Sequence, residues 1–555
     1  MLFYACPLPL SERKKLDTYL LLSENSNTWK YLNLEIEPGR SKIDQCLLFA
    51  AVLHCFVLGK ASLREMEVAC FTDLRIIYLI GEAQPSRSSF SRFITDLVPK
   101  ISFIFAALMK RVFMECSKSM NTVYLDGSKF EANANKYKFV WRPTIFHLRL
   151  CEKVANLLRL MHLEKGLPKA GIIPSKIIME KLPDVDNVSP ALIEGGQNTL
   201  AKMRRQLSGY LLKALEYEEK EAICGEHRNS YYKTDHDATA TCLKEDYYSG
   251  LGSQMHAAYN AQIVVSNGFV VSYYVSQDRT AIRTLQPAME QYYRWYGTYP
   301  ERLCADAGYG SLANYEYCDQ KGIKAFIKYG SWNREKTGRN PATYEYVDEN
   351  TFQCLGERKE QRVEPPPNYR YKSNSAYFYV KDYSRCNFGL YCRRYLKNKS
   401  QNSRLFEIHP RYALLKQQAR DLLLSPEAIE MRVNRSCQVE GVFGAIKQNM
   451  EYTRFHRRSR DRVTVEFALT STGLNVRKYL KFIESEKVPF YWSAQQTLEP
   501  ETFKKPSAKK IENRINRRKK LQPNEIAKKA TKIRGCASPT KNRILQQPLF
   551  SSKEL

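Results

Sequence analysis

Acidic residues are in short supply in this chain: 58 Asp+Glu stand against 87 Lys+Arg, for a formal net charge of +29 over 555 residues. The imbalance is not confined to the basic C-terminal stretch, because residues 122–480 are basic as well. A shortfall of that size sets aside a small-molecule enzyme and points to a polyanion partner, most simply DNA or RNA. Long apolar runs are missing too. The longest, CLLFAAVLHCFVLG (46–59), contains His54 and falls short of the roughly 20 residues a spanning helix needs, so no membrane partner is expected. The fifteen cysteines follow no regular spacing, which excludes a secreted disulfide framework and suits reduced thiols in a cytoplasm. MLFYACPLPL has no charged stretch ahead of its apolar residues, so no signal peptide is expected. What remains is a chain long enough for roughly two to four domains.

Residues 41–116 read as helical. Leu47, Ala50, Ala51 and His54 recur at helical spacing, Leu63, Met66, Glu67 and Cys70 continue it, and Ser62 and Ser86 stand where helix caps belong. PSRSSFSRF (85–93) would open a helix with polar and basic contacts, Arg87 and Arg92 among them, as a DNA-reading helix does. Strand-like TVYL (122–125) then leads into Asp126. Residues 145–225 hold two long amphipathic helices joined by a Pro-containing linker, and 228–246 reads as loop. Two β-branched runs flank Asn267-Gly268, a hairpin signal. Asp278 is placed to cap a helix over 280–297, and a strand (302–306), a helix (311–322) and a strand (324–329) come next. Strand, hairpin, helix, strand, helix, strand is the order of a mixed α/β sheet of the ribonuclease-H kind. Residues 330–410 are Tyr-rich and read as a second insertion of β or irregular structure. Helix returns at 413–424, at Glu440 and at 463–483, and the Lys/Arg-rich residues after about 488 are expected to be disordered in isolation.

Three acids stand out: Asp126 and Asp306 each end a β-branched or apolar run, and Glu440 opens a helical pattern. The sheet order would bring the two strand ends together and carry the helix across them. Such a trio would hold two Mg²⁺ or Mn²⁺, because hard cations prefer carboxylate oxygen and leave positions open for water and phosphate. One ion would activate the attacking oxygen and the other stabilise the leaving one. Lys447, two turns beyond Glu440, and Arg435, just ahead of it, would bind flanking phosphates. His236-Asp237 has no partner pair nearby and is read as loop. Trp332 and the tyrosines of 367–392 offer base-stacking surfaces, although core or surface packing is the commoner role for such residues.

The segments DGSKFEANANKYKFVW (126–141), RNSYYKTDHDAT (228–239), YNAQ (259–262), ADAGYGSLANYEY (305–317) and RSCQVEGVFGAIKQNM (435–450) resemble the DDE transposases of bacterial insertion sequences, over roughly residues 40–480. The resemblance implies a helical N-terminal DNA-binding domain (1–116) and a ribonuclease-H-like catalytic domain (117–485) with insertions at about 142–257 and 330–412. A basic tail (486–555) completes the chain. The resemblance also implies cut-and-paste chemistry on double-stranded DNA, both element ends and target, by a homodimer on paired ends, in a bacterial cytoplasm at the nucleoid. Asp126, Asp306 and Glu440 take the places of the catalytic acids, and Lys447 that of the signature lysine. The family's Y-x2-R-x3-E-x6-K pattern is altered, with Arg435 one residue further from Glu440 and Arg432 where Tyr is expected. A Cys-rich knuckle of the family would draw on Cys354, Cys386 and Cys392, with Tyr383 in place of a fourth Cys and His409 as another donor; three thiols alone make a poor zinc site. A nuclease of the same fold that does not transpose, or a DNA-binding protein without catalysis, are the alternatives.

Overall fold

In this computed structural model the described residues are 8–485, apart from 26–27, 33–42, 82, 169–170, 194–195, 244–253, 339–343, 365–373, 383–384 and 394–402, together with 499–502, 507–509 and 513. Tyr383 and nearly all of the basic tail therefore lie outside the described residues. The chain divides into two compact units, one of residues 1–244, 254–330 and 415–501, the other of 245–253, 331–414 and 502–555.

Among the described residues, seven helices precede the sheet of the first unit: α1 (Leu10–Asn25), α2 (Trp29–Leu32), α3 (Gln45–Val57), α4 (Leu63–Thr72), α5 (Leu74–Ile80), α6 (Arg87–Asp96) and α7 (Ile101–Glu115). Their starts obey the sequence signals. Ser62 and Glu65 form a reciprocal capping box at α4, and the Ser86 side chain accepts from the Ser89 amide at α6. The apolar run of α3 is buried on nearly every side, His54 included. His54 Nδ1 lies 3.3 Å from the Tyr19 hydroxyl, and burial holds its pKa down to about 4, with Arg75 adding to the effect. The unfolded chain therefore binds this proton more tightly than the folded one. Stability present above about pH 6.5 should be lost as pH falls towards about 4, to a limit on the order of 3 kcal/mol. A pH series of melting temperatures checks this: His54→Phe should flatten the acid limb, and an unchanged limb would place the titration elsewhere.

The sheet has the order β4-β5-β1-β7-β8, with β6 also paired to β5. Its strands are β1 (Thr122–Glu131), β4 (Thr239–Cys242), β5 (Met255–Ser266), β6 (Phe269–Ser276), β7 (Arg302–Ala305) and β8 (Lys324–Ile327). β2 (Phe139–Trp141) and β3 (Ser230–Tyr232) form a separate ribbon, so part of the stretch read as loop is strand. β1 runs antiparallel to β5 and parallel to β7, and β7 runs parallel to β8. This is a mixed α/β sheet, with β5 and β6 making the hairpin expected at Asn267-Gly268. α8 (Thr144–Leu160), α9 (Ser175–Asp186) and α10 (Gly196–Cys224) form the helical insertion. The Pro-containing linker thus holds a helix of its own, because Ile178 and Val185 share a face buried with Leu158 and Leu207.

α11 (Leu285–Tyr296) and α12 (Leu312–Gln320) connect the later strands. Asp278 does not cap α11, whose N-cap residue is Thr284. Pro287 explains the late start: it has no amide to donate and is tolerated only in the first turn, where amides have no partner within the helix. The last long helix, α18 (Arg460–Ser485), lies between α3 and the sheet, in contact with β6. Its Gly473 comes so close that a Cβ would stand 3.0 Å from the backbone of Phe56 and Val57.

Among the described residues, the second unit holds α13 (Trp332–Lys336), α14 (Gly389–Arg393) and five antiparallel strands, β9 (Tyr344–Tyr346), β10 (Thr351–Cys354), β11 (Lys359–Val363), β12 (Ala376–Val380) and β13 (Arg404–Ile408). Trp332, Tyr377 and Tyr391 are at most 2% exposed, so these rings pack the interior and are not free to stack on a base. Cys354 and Cys392 belong to the same core, with Cys386 packed against it, and His409 Nδ1 accepts from the Tyr412 amide. α15 (Pro410–Leu424) and α16 (Pro426–Arg435) come after β13. Between α16 and α18 lie a π-helical turn (Ser436–Glu440), α17 (Gly441–Gly444) and a second π turn (Ala445–Asn449). Glu440 does not open a helix. It ends a π turn inside a helical run that begins at Pro426, where the Ser425 side chain accepts from the Ala428 amide. Among the described residues no helix is long and apolar enough to cross a membrane.

Candidate active site

Asp126 and Asp306 are neighbours because of strand register. Leu125 pairs with Ala305 across parallel strands, which brings the next residue of each, Asp126 and Asp306, into the same neighbourhood. Asp126 is partly buried and Asp306 exposed. Burial pushes the Asp126 carboxyl above the usual carboxylate range and the Asp306 charge adds to the rise, while the Gly127 amide and Arg435 oppose it. Arg435 Nη1 donates to Asp126 Oδ2 at 3.2 Å, and Nη2 lies 3.8 Å from Glu440 Oε1. One guanidinium therefore joins the strand acid to the helix acid, and the Glu440 side chain remains 62% exposed. Among the described residues no group of three or more His, Cys, Asp or Glu is arranged to hold a metal ion. The chemistry of the donor set still fits a hard divalent cation: Asp126, Asp306 and Glu440 offer carboxylate oxygens, and the Glu440 side chain is exposed enough to turn.

The π turn accounts for the unusual Arg435–Glu440 spacing. Five residues along an α-helix rotate about 500°, which would put the two side chains about 140° apart around the axis. A π turn closes between residues five apart, so the extra residue is absorbed and the ion pair forms. Arg432, in the position of the expected Tyr, is turned away, with Nη1 donating to the Leu423 carbonyl and Nη2 to Glu501, both at 2.6 Å. Lys447 sits against β1, its Nζ donating to the Lys129 carbonyl at 3.0 Å and lying 4.7 Å from the Phe130 ring centre. Arg87 and Arg92 are on α6, away from the acids in sequence, and Arg87 Nε pairs with Glu67 at 3.2 Å.

Residues without a role in the sequence reading hold this arrangement. Gln262, fully buried on β5, donates to Asn260 Oδ1 at 2.8 Å and accepts from the Tyr309 hydroxyl in the turn after Asp306. A Cβ on Gly127 would stand 2.2 Å from the Gln262 amide, so the glycine after Asp126 makes room for the link between the two acid-bearing segments. Gly127→Ala should therefore cost about 1–3 kcal/mol through overpacking. It should also displace the Asp126 backbone; melting temperature together with cleavage rate measures both effects, and a variant normal in both would show that Gln262 can yield. Asp235 and Asp237 of the segment read as loop accept from the Ser459 and Arg460 amides at the start of α18, and the Tyr259 hydroxyl donates to Asp235. The signal for these residues was their place in RNSYYKTDHDAT (228–239), but their partners Ser459 and Arg460 lie more than 200 residues away in the chain. Lys328, just past β8, was also missed; burial lowers its pKa, with Arg432 and Arg435 adding to that and Asp306 opposing it.

Residues 356–480 match the family described as transposase DDE domain. That stretch is similar to a transposase DDE domain. No curated protein and no solved structure matches the chain. The matched segment contains Arg435, Glu440 and Lys447, and it ends within α18. Asp126 and Asp306 lie outside the match, and Asp126 meets this segment through Arg435. The family supports a transposase function with DNA as partner, and its members generally use divalent metal ions.

Proposed function

We propose that the chain is an insertion-sequence transposase that binds terminal inverted repeats, hydrolyses the phosphodiester at the element end, and directs the freed 3′-hydroxyl onto target DNA. Both steps are in-line displacements at phosphorus, so one site serves both. The observation that carries this reading is the Arg435 guanidinium paired with both Asp126 and Glu440, with the strand that leads into Asp306 hydrogen-bonded beside the one that bears Asp126. The strand order, with antiparallel pairs leading into parallel ones, supports a ribonuclease-H-like catalytic domain.

Asp126, Asp306 and Glu440 would hold two Mg²⁺ or Mn²⁺, which supply Lewis acidity to the attacking and leaving oxygens. Arg435 keeps the carboxylates neutralised and oriented in the free protein and offers donors to phosphate. Lys328 adds positive charge beside Asp306, and Lys447 fixes the signature helix on β1, from which it reaches flanking DNA. The helices before β1, with Arg87 and Arg92 on α6, and the basic tail would grip the duplex through phosphates. Joining two ends calls for a homodimer, acting at the nucleoid of a bacterial cytoplasm.

The test supplies Mg²⁺, a pre-cut end and a target plasmid. Joined product is expected. Cleavage of end-sequence DNA without joining would identify a nuclease that does not transpose, and binding without either would identify a DNA-binding protein that has lost catalysis.

A further inference from the structure

A second surface lies at the other end of the sheet. Helix α7 buries Ile104, Phe105, Leu108 and Val112 in the core and turns the opposite stripe outward, with Phe103, Lys110, Arg111 and Met114 along it. Ala106 and Ala107 stand in the middle of that stripe, and their small side chains leave the floor of a cavity of about 480 Å³. Lys30 and Tyr31 of α2 form one wall and Arg294 and Trp295 of α11 the other. The Tyr292 hydroxyl of α11 donates to the Met120 carbonyl just ahead of β1, which puts this cavity where the parallel strands begin, whereas Asp306 comes after the end of β7.

The lining has a definite chemistry. Four cations, Lys30, Lys110, Arg111 and Arg294, surround it, and Arg111 is bonded to Glu115. Tyr31 and Phe103 are stacked, with centroids 5.7 Å apart and planes 15° from parallel, and Phe103 is 57% exposed. A flat aromatic wall beside several cations is the arrangement that takes a base face together with its phosphates. The chain's own basic tail is excluded as occupant by charge, since it is rich in Lys and Arg. A paired base inside a duplex would not expose its face to Phe103.

We propose that this cavity binds an unpaired nucleotide of DNA, stacked on the Tyr31–Phe103 pair with its phosphates among Lys30, Lys110 and Arg294. The site is separate from the acids and makes no use of them, so it tests independently of cleavage.

The experiment uses the full chain without divalent metal. A short single-stranded thymidine oligonucleotide carrying one 5-iododeoxyuridine is photocrosslinked to it, and the modified peptide is mapped. The expected attachment is to Tyr31 or to the α7 peptide with Phe103. Phe103→Ala and Lys110→Gln, both at exposed positions, should each lower that yield by about fivefold or more with melting temperature unchanged. Excess unlabelled oligonucleotide should compete, and poly-glutamate of equal charge should not. Attachment only to other peptides, wild-type yields in both variants, or equal competition by poly-glutamate (an acidic protein partner instead of a nucleotide) would each overturn the proposal.

Discussion

Asp126→Asn is expected to slow Mg²⁺-dependent cleavage of end-sequence DNA by about a thousandfold or more, with the fold intact. The size comes from losing a carboxylate that would hold a divalent ion: several kcal/mol of charge stabilisation at the transition state, at roughly 1.4 kcal/mol per factor of ten. The intact fold is a consequence of local contacts. The Gly127 amide donates to Asp126 Oδ1 at 2.8 Å, a bond the Asn carbonyl oxygen can keep, and the backbone pairing with Ile263 does not depend on the side chain. Duplex binding should hold or tighten, because the change removes a negative charge from a basic chain. A gel-based cleavage assay and a binding isotherm on the same DNA separate the two effects. Wild-type cleavage by the variant would remove Asp126 from the reaction; lost binding with a lowered melting point would make its role structural.

The parts of this molecule legible in the sequence are those set by local physics. β-branched runs marked β1 and the β5–β6 hairpin, Asn267-Gly268 fixed the turn, and the serines before α4 and α6 marked their starts. Asp126 and Asp306 each end a strand-like run in the sequence, but β1 continues through Asp126 to Glu131, and only β7 stops ahead of its acid. Three things were not legible. Pro287 outweighed the apparent cap at Asp278 and moved the start of α11. The buried polar links of Gln262 with Tyr309, and of Asp235 with Ser459, depend on chain segments that meet only after folding. Glu466 belongs with them: fully buried on α18, it accepts from the Tyr452 hydroxyl and from the His456 and Arg457 amides, and so satisfies a whole loop from one side chain. The third was helix phase. The sequence places Arg435 ahead of a helix that opens at Glu440, whereas both lie in one helical run, and nothing in SCQVE announces a π turn.

That phase is the basis of the second large effect. Val442 and Ile446 are fully buried beyond the first π turn, while Glu440 meets Arg435 across it, so one register serves both the core and the site. Deleting Cys437, whose side chain is exposed, should let the turn close as ordinary α-helix without rotating the helix beyond it. Cleavage should then stay within about tenfold of the parent, because a residue removed from a π turn restores the usual bonding. Inserting an alanine after Cys437 should do the opposite. It would rotate Glu440, Val442 and Ile446 by about 100°, take two apolar side chains out of the core at about 1–3 kcal/mol each, and separate Glu440 from Arg435. Cleavage should fall to the level of Asp126→Asn, and the melting temperature should drop with it. If deletion and insertion were equally damaging, the turn would be valued for its length and not for its phase. The altered spacing in this chain would then need a cause other than the π turn.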